Sequence, residues 1–219
     1  MDVSGQKRKA DATRKRLLDA ALRVIARKGY SSATVDEIVA EAGVSKGLAY
    51  YHFKNKAAIA SSILETGVND MIGSFETIAA ESKSAGQALT RMLDSFCGAI
   101  VNNQEFAQFF LNELWRGSRD WSSKLRPIED KLIGILSNQI ERGQQEGVIR
   151  AEVDPQFGAV AIVGISLTAA GYYVGRIDGI DADQGERFKA YVYDFVAHAV
   201  EAETAFGLGM PSTSQVAVS

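Results

Sequence analysis

One cysteine, two histidines and three prolines are all that this chain of 219 residues holds of those types. A single thiol forbids an internal disulfide, which excludes a secreted disulfide scaffold and points to a reducing cytosol. His52 and His198 alone cannot build a His-rich metal site, and the HExxH, GxSxG and GxxxxGK[ST] patterns are missing. No metal, no cofactor and no enzymatic activity are therefore expected. Cys97 lies in the apolar run SFCGAI and reads as an inert, buried thiol. The N-terminal MDVSGQKRKADATRKRLLDA has basic residues but no apolar h-region or cleavage site, so no export signal is visible and a cytoplasmic protein is expected. Long uncharged runs are also scarce. Phe157 to Gly175 is one of 19 residues, close to the roughly 20 needed to cross a bilayer. Its four glycines, Ser166, Thr168 and two tyrosines suit a buried helix better than a membrane span.

What is present is a globular composition, 46% hydrophobic and 23% charged, rich in helix formers. The net charge of −3 conceals an uneven distribution. Residues 1–60 carry 12 Lys and Arg against 6 Asp and Glu, whereas residues 61–219 carry 12 against 21. A basic head on an acidic body points to a polyanionic partner, nucleic acid being the commonest, or to no more than a solvated basic helix surface.

Within the head, Leu18, Ala21, Leu22 and Ile25 recur at helical spacing between Thr13 and Lys28, and Gly29 is the natural stop. Thr34-Val35-Asp36-Glu37 is a capping box that opens a second helix with Val35, Ile38, Val39 and Ala42 on its buried face. It closes at Gly43, and Ser45 caps a third helix running to about His52. Two short helices joined by a Gly-containing turn form a helix-turn-helix, whose second helix enters the DNA major groove. Ser45 and Lys46 stand at the positive end of that helix, Gly47 permits close backbone approach, and Tyr50, Tyr51 and His52 offer rings and polar tips to the nucleic acid. Lys54 and Lys56 follow as phosphate partners, and Lys7, Arg8 and Lys9 read as a minor-groove arm or as a disordered tail.

The segment TVDEIVAEAGVSKGLAYYHFKNKAAI, preceded by RLLDAALRVIARKGY, resembles the DNA-binding domain of the TetR family of bacterial transcriptional regulators. The resemblance covers about fifty residues and ends near Ile63. It implies that Thr34, Ser45, Lys46, Gly47, Tyr50, Tyr51, His52 and Lys56 touch DNA, phosphate more often than bases. Leu48 and Ala49 depart from the pattern, since base-reading positions carry apolar groups, so thymine methyls and groove shape are expected to supply part of the specificity.

Further helices are expected over about Lys54–Ile78, Ala85–Val101, Glu105–Arg116, Trp121–Glu146, Pro155–Arg176 and Gln184–Glu203. The fold class is all-α, about nine helices, with a helix-turn-helix domain over 1–54, a larger effector-binding and dimerisation domain over 55–206, and a disordered tail at 207–219. Met71, Phe75, Met92, Phe96, Phe109, Phe110, Leu114, Trp115, Tyr172 and Tyr173 form an aromatic and Met-rich set that lines an effector pocket or packs as core, and Glu113 would favour a cation or stand exposed. Ala161, Gly164, Thr168 and Gly171, with Phe188, Tyr191 and Phe195 on the last helix, are the expected dimer interface, the alternative being packing within one subunit. The function expected is a homodimeric regulator, a repressor released from a palindromic operator in double-stranded DNA by a small apolar or aromatic effector. The competing class is a dimeric helical scaffold or ligand-binding module whose basic head meets a protein or membrane surface.

Overall fold

A computed structural model describes residues 3–114, 122–174 and 182–200. Nine helices occur among them: α1 (Val3–Lys28), α2 (Val35–Ala42), α3 (Lys46–His52), α4 (Lys56–Glu81), α5 (Ala85–Asn102), α6 (Gln104–Leu114), α7 (Ser122–Gln145), α8 (Pro155–Val174) and α9 (Ala182–Val200). The all-α expectation holds, and the helix boundaries follow local chemistry. The Thr34 hydroxyl accepts a hydrogen bond from the Glu37 backbone N–H at 3.2 Å while the Glu37 carboxylate accepts one from the Thr34 N–H at 3.0 Å, which completes the capping box. Gly43 ends α2 in the left-handed region, φ 63°, where a side chain would be strained. Asp154 caps α8 by accepting from the Phe157 N–H at 2.7 Å, with Pro155 at the first helical position.

The N-terminus differs from expectation. The backbone of Lys7, Arg8 and Lys9 is the second turn of α1, neither a free arm nor a disordered tail. No Gly or Pro interrupts residues 6–28, so the helix propagates back beyond Thr13. The expected tail at 207–219 lies outside the described residues.

α1 packs on α2, α4 and α6. Leu17, Ala21, Ile38, Ala49, Phe53 and Ile59 belong to a head cluster that extends along α4 to Leu64 and takes in Phe109 from α6. The second half of α4, with Val68, Ile72, Phe75 and Ile78, belongs instead to a body cluster with α5 and α7. A single helix thus serves both cores. The guanidinium of Arg142 on α7 donates to the carbonyls of Ser82 at 3.2 Å and Lys83 at 2.7 Å, and Glu146 accepts from the Ala85 N–H at 2.8 Å, so the turn between α4 and α5 is fastened to the end of α7.

α8 is apolar on all faces and long enough to cross a membrane by length and composition. It packs between α7 and α9, but only 28% of its most apolar window is buried within this chain. The expectation of a buried helix is therefore met on one side alone. Phe157 and Tyr172 stand 72% and 55% exposed on the other.

Candidate nucleic-acid interface and interior cavity

α3 is short and turns almost everything outward: among Lys46–His52 only Ala49 is buried. Ala49, 2% exposed, is therefore core and out of reach of any base, while Leu48 remains on the open face. Ser45 spends its hydroxyl as the N-cap, accepting from the Leu48 N–H at 3.2 Å. Nothing lies within 4 Å of where a Gly47 side chain would start, so the backbone there is open to a close approach. Tyr50 and Tyr51 project into solvent, and Tyr51 meets His52 edge-on at a ring separation of 5.2 Å. Lys54 is exposed and Thr34 stands at the neighbouring helix start. Lys46 reaches Asp36 on α2 at 2.6 Å, a pairing that raises the affinity of its ammonium for its proton.

Lys56 requires a correction. Its ammonium donates to the carbonyls of Tyr30 at 2.7 Å, Ser31 at 3.2 Å and Ala33 at 2.6 Å, and sits 4.5 Å from the centre of the Tyr30 ring. Those donors are committed to the loop between α1 and α2, which leaves Lys56 a clamp of the head rather than a phosphate ligand. The head is braced elsewhere by charge. Lys28 pairs with Glu37, and together with the Thr34 donors it holds the Glu37 carboxyl down at about 2. Glu41 is likewise lowered by hydrogen bonds from Arg23 and Arg27. Sequence reasoning missed this bracing, whose signal is the excess of Arg on α1 facing acids on α2.

Below the head, the body encloses a cavity of about 610 Å³ between α4, α5, α7, α8 and the end of α9. That volume is in the range of pockets that hold small organic ligands, about 300–1,000 Å³. Met71, Phe75, Met92, Phe96 and Phe110 line it, as five of the expected pocket residues. Phe109 does not, because it is 2% exposed within the head cluster. Tyr172 does not line it either and faces outward on α8. Trp115 lies outside the described residues, as do the side chains of Glu113, Leu114 and Tyr173. The wall also contains aliphatic residues that sequence reasoning passed over, among them Leu89, Leu93, Ile133, Leu136 and Val163, with Tyr193 from α9. Helical spacing of apolar residues gives no sign of whether the interior they face is hollow or filled.

Of the residues expected at a dimer interface, Thr168, Tyr191 and Phe195 are exposed and Ala161, Gly164 and Gly171 half-buried. Phe188 is the exception: at 2% exposed it packs with Cys97, Ile100 and Leu167 inside the chain. Cys97 itself has no exposure, and burial pushes its thiol up to about 12. Among the described residues no cluster of His, Cys, Asp or Glu has the makings of a metal site.

Residues 17–63 match the sequence profile described as bacterial regulatory proteins, tetR family, and residues 86–196 match that of the tetracyclin repressor-like C-terminal domain. This chain belongs to the TetR family. It is a DNA-binding, ligand-responsive regulator of transcription. The fatty acid metabolism regulator protein of Bacillus subtilis (strain 168) is 27% identical over 148 residues, covering 68% of this chain and 76% of that protein. The crystal structure of the transcriptional regulator FadR from Bacillus subtilis, in complex with stearoyl-CoA, superposes with a TM-score of 0.75 at 23% identity over 84% of this chain and 97% of that one. The ketosteroid transcriptional regulator KstR2 of Mycobacterium tuberculosis superposes with a TM-score of 0.72 at 19% identity, over 87% and 95%. These TetR-family likenesses extend over head and body alike.

Proposed function

We propose that this TetR-family chain is a homodimeric, cytoplasmic repressor that leaves a palindromic operator when a small, largely apolar or aromatic effector enters the cavity. The head, residues 1–54, would carry the DNA contacts through Thr34, Ser45, Lys46, Gly47, Leu48, Tyr50, Tyr51, His52 and Lys54. Residues 55–206 would bind the effector and dimerise. Two copies of α3 would enter major grooves about 34–36 Å apart, one helical turn, or a multiple of that spacing.

The observation that carries this reading is the continuity of α4, which packs in the head core at Ile59 and Leu64 and lines the cavity wall at Val68, Met71 and Phe75. α6 adds a second connection, since Phe109 is buried in the head cluster while its neighbour Phe110 lines the cavity. A ligand that changes the cavity therefore changes the footing of the head. Moving a population from 1:99 to 99:1 requires about 5.5 kcal/mol of preference for one state, a demand that a mostly apolar cavity meets by burying ligand surface. The dimer would join through α8 and α9, where Phe157, Tyr172, Tyr191 and Phe195 present apolar area to water in the isolated chain.

Selection of bound fragments from random duplex DNA at about 150 mM salt, where nonspecific phosphate binding is weakened, tests the reading. An enriched inverted repeat is the expected result, and release of that repeat by an apolar small molecule would complete it. A folded dimer that enriches no sequence would overturn it.

A further inference from the structure

The cavity is apolar on its walls and acidic at its mouth. Among the described residues that line it, the charged side chains are Glu129 and Asp130, and no Lys, Arg or His accompanies them. Both sit on α7, where Glu129 is followed by Leu132, Ile133, Leu136 and Ile140 at spacings of three and four. A carboxylate thus heads a stripe whose other members are aliphatic. Both acids are exposed at the rim: the Arg126 guanidinium, one turn back and exposed, acts on Glu129 through its charge, and Lys131 is paired with Glu76 at 2.8 Å. Partial desolvation by the apolar wall, with Asp130 beside it, raises the proton affinity of Glu129, while the Arg126 charge acts the other way. Ser166 of α8, 3% exposed, also lines the cavity and has a hydroxyl oxygen that is buried and has no hydrogen-bond partner in the protein. A buried hydroxyl of that kind is costly unless something supplies a partner.

We infer that the effector is a lipophilic cation whose apolar body fills the cavity and whose positive end sits at the mouth between Glu129 and Asp130. This rests on the effector role proposed above for the same cavity. Desolvating an anion beside two carboxylates is opposed, whereas a cation gains from both and keeps partial contact with water at the rim. Ser166 is available for one polar group on the ligand body.

The test uses the full-length protein and three probes of equal chain length at concentrations below micelle formation: dodecyltrimethylammonium, dodecanol and dodecanoate. Calorimetry measures their binding, and anisotropy of a labelled operator duplex measures DNA release. The cation is expected to bind about tenfold or more tightly than the carboxylate, as expected of partly exposed charges acting together. The double variant Glu129→Gln with Asp130→Asn is expected to bring cation and carboxylate within about threefold of one another. It should leave helicity and ligand-free DNA affinity unchanged, since neither side chain anchors the fold. Carboxylate binding equal to or tighter than the cation, or a preference that survives in the double variant, would overturn the ligand class while leaving the effector cavity in place. No binding by any of the three would overturn both.

Discussion

Lys56 and Glu37 act at the same loop by opposite charges. With its ammonium donating to three backbone carbonyls, Lys56 holds the connection from α1 to α2 against the start of α4. Lys56→Met keeps the stem and removes the donors, and is expected to cost the head about 2 kcal/mol, the scale of charge-assisted hydrogen bonds, read as a lowered midpoint in urea unfolding. Glu37, held at about 2, gives a pH dependence of definite sign. A carboxyl with a depressed folded value stabilises the protein above its ordinary value near 4.5 and loses that contribution as pH falls from there through about 2. Glu37→Gln keeps an acceptor for the capping box but cannot titrate, so its helicity should fall less steeply across that interval than the native protein's when circular dichroism is followed with pH. Cys97 makes a simpler case. A thiol with no exposure and a value raised to about 12 should stay silent toward an aromatic disulfide reagent until denaturant is added. Fast reaction of the native protein would contradict the described packing.

Helices carry the next level of constraint. A Cβ built at Gly67 on α4 would overlap the Phe106 ring of α6, and that ring stacks on Phe110 at a centroid distance of 5.8 Å. Gly67→Ala must displace α6 or its rings, and overpacking of this kind costs about 1–3 kcal/mol. The expected result is a lower thermal midpoint together with altered operator affinity in the absence of effector, measured by anisotropy. Unchanged affinity with lowered stability would show that α6 does not influence the head. What could be read from sequence at this scale follows the range of the interaction. Thr34 with Glu37, Gly43, Ser45 and Asp154 with Pro155 act within four residues, so the ends of α2, α3 and α8 were legible. Which way a helix faces depends on partners far along the chain. α8 is apolar all round, so its pattern did not separate Leu167, which is buried, from Tyr172, which is not. Phe188 and Tyr191 lie three residues apart on α9, yet one packs beside Cys97 and the other points to water. The hollow behind Phe96 and Leu93 was illegible for the same reason: residues that line a cavity and residues that fill a core share one composition.

For the whole molecule, the apolar area left exposed on α8 and α9 is where the proposed dimer would join. Tyr191 and Phe195 lie one turn apart on α9 at 63% and 60% exposure, and Phe157 and Tyr172 are exposed on α8. Phe195→Glu places a charge on that surface without touching the core, and is expected to shift the protein from dimer to monomer in sedimentation equilibrium. Operator binding should fall with it, because a single head forfeits the second half-site. A variant that remains dimeric would mean that another surface joins the copies. The asymmetry of charge read from the sequence fits this arrangement, with 12 basic residues gathered in the first sixty, where the DNA contacts are proposed.

α4 spans 26 residues without a break. At 1.5 Å per residue it is a rod of about 39 Å, with the cavity wall at one part of its length and the head at its end. Pivoted near its C-terminus, such a rod converts a tilt of about 5° into a displacement of about 3 Å at its tip, close to the 3.4 Å that separates successive bases of one DNA strand. In the proposed repressor, mechanical gain of this kind would let a ligand act through side-chain adjustments too small to disturb the packing around it, while the reading heads would slip by a whole step along the duplex.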